Sequence, residues 1–218
     1  MTLILSVETS IRGFAAGIHD LSTNDWVWHC FNDERNASNL GFHVSQGLKD
    51  ASLQMGQISG LTVGIGPGSF TGIKIGLAFC YGICLANAGI KILGLKTLGL
   101  LAEGAEPIVL PITKTHAYFA QNGDSRLIEF AKDAALLDKP FRLIGDWEPL
   151  KNERSVKGDH AERIEFLDAN RAALEAHKQM AQDGWKDGFS DNWPSPNYMR
   201  LSTAEEKIGK QVSWETMK

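Results

Sequence analysis

The order of apolar and polar positions predicts strands before any helix. Leu3–Glu8 is a short run of apolar and β-branched residues, and Gly13–His19 follows a Thr9-Ser10-Ile11-Arg12 turn. Asp25–Phe31 then sets Val27, His29 and Phe31 against Trp26, Trp28 and Cys30, completing a β-meander. The period next shifts to three and four residues. Leu40, Val44, Leu48, Ala51 and Met55 fall on one side of a predicted helix capped by Asn36 or Ser38 and ended by Gly56 and Gly60. Leu61–Ile65 is strand-like again, and Gly66-Pro67-Gly68-Ser69-Phe70-Thr71-Gly72 is a glycine-dense turn opening a helix from Phe70 to Ala88. Ile90–Leu95 follows as a strand. The order β-β-β-α-β-α-β predicts an α/β chain with a mixed sheet flanked by helices.

After Pro107 the pattern restarts, with strand candidates at Ile108–Ile112, Ala117–Gln121, Arg126–Phe130 and Phe141–Ile144. A second sheet is expected. Leu150–Gly158 is polar loop, and Asp159 with Glu162 comes close to a capping box. The helix it would open carries Ile164, Leu167, Leu174 and Met180 as its apolar stripe and stops at Gly184. Prolines extend Trp193–Arg200, and residues 201–218 form a polar tail. The expected division is an N-terminal lobe at 1–105, a C-terminal lobe at 106–200, and the tail.

Composition sharpens that division. The 218 residues suit one large or two small domains, and the net charge of −4 is mild. Residues 1–105 carry 6 Lys/Arg, 7 Asp/Glu and 16 of the 22 glycines; residues 106–218 carry 16 Lys/Arg, 19 Asp/Glu and 6 glycines. The first half therefore reads as dense, glycine-punctuated structure and the second as conventional solvated surface. An isoelectric point near 5.9, with no basic run, disfavours a free-standing nucleic-acid binder, whose affinity would rest on clustered Lys and Arg. Cys30, Cys80 and Cys84 are odd in number and sit in apolar context, as core residues of a reducing compartment do. Met1–Glu8 lacks the marks of a signal peptide, and the uncharged stretch Ile75–Ile90 falls short of the ~20 apolar residues that span a bilayer. A cytoplasmic location without membrane contact is the expectation.

Candidate chemistry centres on the glycine turn. A strand, a glycine-rich turn and a helix N-terminus can present free N–H groups to phosphate. The turn fails both regular patterns, since Ile73 stands before Lys74 and Ser69 replaces a third glycine. The competing reading is that the glycines only permit a sharp turn and close packing. Glu8 and Thr9 end the first strand, where a nucleotide fold would carry an acidic residue and a phosphate-contacting loop. Gly72, Gly76, Cys80, Cys84 and Ala88 recur every four residues, beside Ile75, Phe79 and Ile83. Such a row admits the close approach of another helix, either the Leu40–Met55 helix or one from a second protein. Catalytic patterns are thin: the histidines at 19, 29, 43, 116, 160 and 177 are scattered, Ser69 lacks an evident base, and Cys80 with Cys84 would need further metal ligands. Trp147, Trp185, Trp193 and Trp214 read as packing residues of the second half.

Gly66-Pro67-Gly68-Ser69-Phe70-Thr71-Gly72-Ile73-Lys74-Ile75-Gly76, followed by Gly89-Ile90-Lys91-Ile92-Leu93-Gly94-Leu95-Lys96-Thr97-Leu98, resembles the signature of the TsaB (YeaZ) family. The likeness extends to Leu3-Ile4-Leu5-Ser6-Val7-Glu8-Thr9-Ser10 and more faintly to Ile144-Gly145-Asp146 and Pro196-Asn197-Tyr198-Met199-Arg200. The resemblance implies an actin/Hsp70/sugar-kinase-like fold of two lobes, each with a mixed sheet flanked by helices on a βββαβα theme. It also implies a non-catalytic paralogue of TsaD in the formation of N6-threonylcarbamoyladenosine beside the anticodon of tRNAs that read codons beginning with A. TsaD would then be the heterodimer partner and the TsaE ATPase a third member, with threonylcarbamoyl-AMP supplied by TsaC. The chain would bring no cofactor or metal of its own, leaving ATP/ADP and metal to the partners, would reach tRNA indirectly, and would form a homodimer alone.

On that reading Glu8, Thr9 and Ser10 form the first-strand loop, and Gly66–Gly72 is a vestigial phosphate loop. Leu40, Val44, Leu48, Gly72, Gly76, Phe79, Cys80, Ile83 and Cys84 make the partner face. Departures from the family pattern fall at Glu8, Ala37-Ser38, Lys74 and Leu110-Pro111-Ile112-Thr113-Lys114, although Tyr118 is retained. The alternative is an active phosphotransferase or ATPase of the same fold, using Glu8, Thr9 and the 66–72 turn on nucleotide. A peptidase reading finds no metal ligands.

Overall fold

A computed structural model describes residues 1–11, 13–32, 37–104, 106–145, 164–166, 168–185 and 187–199. Two five-stranded sheets repeat one topology. The first contains β1 (Leu3–Glu8), β2 (Phe14–Asp20), β3 (Asp25–Asn32), β4 (Ile58–Gly64) and β5 (Lys91–Leu95), in the order β3-β2-β1-β4-β5. The second contains β6 (Ile108–Pro111), β7 (His116–Gln121), β8 (Asp124–Glu129), β9 (Phe141–Leu143) and β10 (Ile164–Phe166), in the order β10-β9-β6-β7-β8. In each, a meander of three antiparallel strands is followed by two strands that join parallel beside the first. Parallel neighbours need a crossover. α1 (Leu40–Asp50) and α2 (Phe70–Ala86) supply it in the first sheet, whereas a single 3₁₀ turn, Ala134–Leu137, stands between β8 and β9.

β1 is buried along its whole length, as a strand covered on both faces must be. Leu3, Leu5 and Val7 join Phe14, Ala16, Ile18, Leu61 and Val63 under α1 and α2, where Leu40, Val44, Leu48, Ile73, Leu77 and Cys80 complete one core. The Trp28 indole lies where a Cβ on Gly47 would come within 2.2 Å, so glycine there lets α1 settle onto the meander. Ile4, Ser6 and Glu8 alternate to the opposite face. A late helix, α4 (Ala169–Gly184), covers them after the chain has left the second sheet. α3 (Thr97–Leu101) packs beside its first turns: Leu98 and Leu101 share a core with Ala169, Ala173, Ile108, Leu110 and Tyr118. Trp185 and Phe189 then sit on Gly60 and Ile4, and Ser190 bridges to Ile92. The described residues of 169–190, expected in the C-terminal lobe, therefore close the back of the first sheet.

Three element boundaries depart from the pattern of the sequence. α1 ends at Asp50 rather than near Met55 because Ser52 turns left-handed (φ 56°), with Leu53 N–H donating to Leu48 O at 2.7 Å and Ser52 N–H to Lys49 O at 2.9 Å. These two bonds close a Schellman motif, which stops a helix without glycine. The late helix begins at Ala169, capped by the Asp168 carboxylate, which accepts from Arg171 N–H at 3.3 Å. Ile164–Phe166 is strand because its backbone finds a parallel partner in β9. The buried stripe is accordingly Ala169, Asn170, Ala173, Leu174, His177 and Ala181, not one running from Ile164. Asp159, Glu162, the 150–158 loop, Trp147, Trp214, Asp146, Arg200 and residues 201–218 lie outside the described residues.

Candidate functional site

The C-terminal end of β1 feeds the Glu8-Thr9-Ser10 loop directly into the glycine turn. The Ser10 carbonyl accepts from Ser69 N–H at 2.5 Å, and the Thr9 hydroxyl donates to Gly72 O at 2.8 Å. Contact is so close that a Cβ at either Gly68 or Gly72 would fall 1.9 Å from a carbonyl oxygen of Ser10 or Thr9. Gly66 contributes the other requirement, a positive φ of 98°. At the head of α2 the Ser69 hydroxyl accepts from Gly72 N–H at 3.1 Å. The chain's own loop and cap thus take the Ser69 and Gly72 N–H groups, and Gly68 and Gly72 serve close packing.

The same contacts correct the expected partner face. Gly72, Gly76 and Cys80 turn inward, toward Thr9 and the core; a Cβ at Gly76 would lie 2.3 Å from the Thr9 hydroxyl. Leu40, Val44, Leu48 and Ile83 are buried on the sheet side as well. The small-residue row receives the first-strand loop rather than another helix. Of the nine residues expected on that face, Phe79 and Cys84 alone are partly exposed. The large apolar side chains that α1 and α2 expose are Phe42 (69 %) and Leu85 (73 %), with Ala78 exposed and Ile75 and Phe79 half-buried; α1 also exposes Ser45, Gln46, Lys49 and Asp50. Lys74 is the charge on this surface of α2, and its ammonium lies 4.1 Å from the centre of the Phe70 ring. Trp193 stacks on Tyr81 at 4.6 Å, and Tyr198 on Phe70 at 4.4 Å. The 193–198 strap therefore runs along α2, tied by Asn197 N–H to Ile65 O at 2.8 Å.

On the opposite side of β1, Glu8 is the centre of a buried polar network. One carboxylate oxygen accepts from the Ser10 N–H and hydroxyl, both at 2.5 Å. The other accepts from the Thr97 hydroxyl and lies 3.3 Å from Nε2 of His177 on α4. Nδ1 of His177 is 3.0 Å from the Thr62 hydroxyl, which donates to Ser6 Oγ at 2.9 Å. Gly64 on β4 makes room for the carboxylate, since a Cβ there would lie 2.2 Å from it. Burial alone would push the Glu8 carboxyl up; the hydrogen bond and charge of His177, with the Ser10 and Thr97 hydroxyls, outweigh it and hold Glu8 below the usual carboxylate range.

Sequence reasoning singled out Glu8 but not His177, Thr97, Thr62, Ser6 or Gly64. The available signal was a histidine on the buried stripe of an amphipathic helix and a strand whose alternate positions are Ser6 and Glu8. Chemically the centre is closed: Glu8, Ser10, Thr97 and His177 are 0 % exposed and Thr9 2 %. Cys80 is buried too, and burial pushes its thiol up, against the thiolate a metal or a nucleophile needs. Among the described residues no three His, Cys, Asp or Glu side chains are grouped to hold a metal ion, and no helix is long and apolar enough to cross a membrane.

The family TsaD, tRNA N6-adenosine threonylcarbamoyltransferase, matches residues 34–169. An uncharacterized protein of Mycobacterium leprae is 28 % identical over 134 residues, covering 57 % of this chain and 36 % of that protein. The tRNA threonylcarbamoyladenosine biosynthesis protein TsaB of Escherichia coli is 38 % identical over 58 residues, covering 27 % of this chain and 25 % of TsaB. Like the E. coli match, the M. leprae match takes in a minor part of the relative's length. Among solved structures, YeaZ from Pseudomonas aeruginosa superposes with a TM-score of 0.60 at 19 % identity, over 91 % of this chain and 100 % of YeaZ. A second P. aeruginosa structure, an uncharacterized protein with similarity to peptidase YEAZ, reaches 0.66 at 19 % identity over 92 % of this chain and 100 % of its own. Both share the two-lobed fold. With more than half of its residues matched, the chain belongs to the TsaD family, tRNA N6-adenosine threonylcarbamoyltransferase, as a TsaB/YeaZ-like protein of actin/Hsp70/sugar-kinase-like architecture.

Proposed function

We propose that the chain serves in the formation of N6-threonylcarbamoyladenosine on tRNA as a non-catalytic subunit that pairs with a TsaD enzyme through the outer faces of α1 and α2. The carrying observation is a division of labour on the surface of one sheet. The groups with chemistry, from Glu8 to His177, are sealed inside, while Phe42 and Leu85 stand exposed on two helices whose exposed charges are Lys49, Asp50 and Lys74. Exposed large apolar side chains of this kind are what a protein-binding face on these helices would use as anchors. On this reading ATP, metal and the transfer step reside in the partners, TsaE joins through the complex, and a homodimer through the same face forms when TsaD is absent.

Co-purification with TsaD tests the pairing. Phe42→Glu and Leu85→Glu should each weaken the complex by at least tenfold in Kd, as loss of one central apolar anchor does, with unchanged circular dichroism. A complex that tolerates both would remove α1 and α2 from the interface. The second reading, a nucleotide-using phosphotransferase or ATPase, draws on Glu8, Thr9 and the 66–72 turn. Micromolar ATP·Mg binding by calorimetry, with turnover, would decide for it.

A further inference from the structure

The last helix and the glycine turn hold opposite sides of the same three residues. Glu8 faces α4, where His177 and Thr97 meet its carboxylate. Thr9 faces α2, its hydroxyl bonded to Gly72 O and pressed against Gly76. Ser10 does both, bonding Glu8 through its N–H and hydroxyl and Ser69 N–H through its carbonyl. None of the three is more than 2 % exposed. On the α2 side the neighbours are backbone atoms at Gly68 and Gly72, which cannot swing aside as side-chain ends can.

We infer that Glu8-Thr9-Ser10 is a stiff link through which the docking of His177 on α4 sets the seating of the first turns of α2. Close-packed interiors transmit displacement rather than absorb it, and here each end of the link is a directional hydrogen bond. The inference concerns the isolated chain and needs no partner. Where the proposed function also holds, it makes the pose of the α2 face depend on a residue buried on the far side of the sheet.

Hydrogen exchange on the full chain, resolved by mass spectrometry, tests the link. In His177→Gln, amides of 174–180 and of 72–77 should both exchange roughly tenfold faster, because both segments lose a local opening barrier. Those of α1, which packs on the other face of the sheet, should keep their wild-type rates. Glu8→Gln, which keeps the shape and removes the charge, should loosen the same two segments to a smaller extent. Acceleration confined to α4, or uniform acceleration across the chain, overturns the link. If the single variants do not fold, the double variant, with no charge left unpaired, carries the same comparison. Loss of folding in all three would equally overturn it, by making the network a condition of the whole fold. Failure of the chain to bind TsaD would leave the exchange result untouched, so the two readings fall separately.

Discussion

The two faces of the first sheet are held to their helices by different physics. Toward α1 and α2, β1 offers Leu3, Leu5 and Val7, and the contact is apolar area, which has no direction. Toward α4 the same strand offers Ile4 to an apolar cluster with Ala181 and Phe189, but its Ser6 and Glu8, flanked by His19, Thr62 and Gly64, are met by a set of angles and distances. An apolar interface tolerates small shifts, whereas a buried hydrogen-bonded charge tolerates few and becomes costly when one member is missing. One strand can therefore have a face that mainly stabilises and a face that mainly positions.

The largest effect should come from the apolar face. Phe14→Ala empties a fully buried ring site and should cost about 4 kcal/mol in urea unfolding, with little change in the pH dependence of what remains. A loss under 1 kcal/mol would mean that this core is not the main support of the lobe.

The polar face should show itself through pH. Burial, with Lys178 nearby, pushes His19 down to about 4, and among the described residues neither ring nitrogen has a hydrogen-bond partner. The fold therefore holds His19 neutral, while the unfolded chain takes up a proton near pH 6.5. Stability present above pH 6.5 should drain by about 3 kcal/mol as the pH falls toward 4. Glu8, held below its ordinary value of 4.5, contributes stability above that pH, lost as the pH falls through the lowered value in the fold. Unfolding free energies at pH 7, 5.5 and 4.5 should decline in the native chain and stay level in His19→Phe. An equal decline in both would acquit His19.

The smallest effect should be at the outer surface. Phe42→Ser should change stability by no more than about 0.5 kcal/mol, because nothing of the core rests on that ring. A larger loss would show that α1 depends on Phe42 for its own seating.

How much of this was legible follows the range of the interactions. β1 and β2 emerge from short apolar runs and β3 from alternation, each within a residue or two, since the pattern that predicts a strand also sets its burial. The end of α1 was hidden because Ser52 adopts a conformation that sequence associates with glycine. The row Gly72, Gly76, Cys80 was visible as a place of close approach, but periodicity says that a face is covered and not by what. Here a loop 63 positions earlier, rather than a helix, covers it. His177 was the hardest to place: its partner lies 169 positions away, and no local rule relates a histidine on a late helix to the first strand.

That separation has a consequence for the birth of the molecule. At roughly 5–20 residues per second, the ribosome makes residue 177 some 10–30 s after Glu8. Through that interval α1 and α2 can already cover the apolar face of the sheet, while its other face waits for α4. An uncovered sheet is an invitation to aggregate, but beside Ile4 the waiting face carries Ser6, Glu8, His19 and Thr62, side chains that water can keep. The polar interior of the finished protein is thus also the temporary exterior of the nascent one.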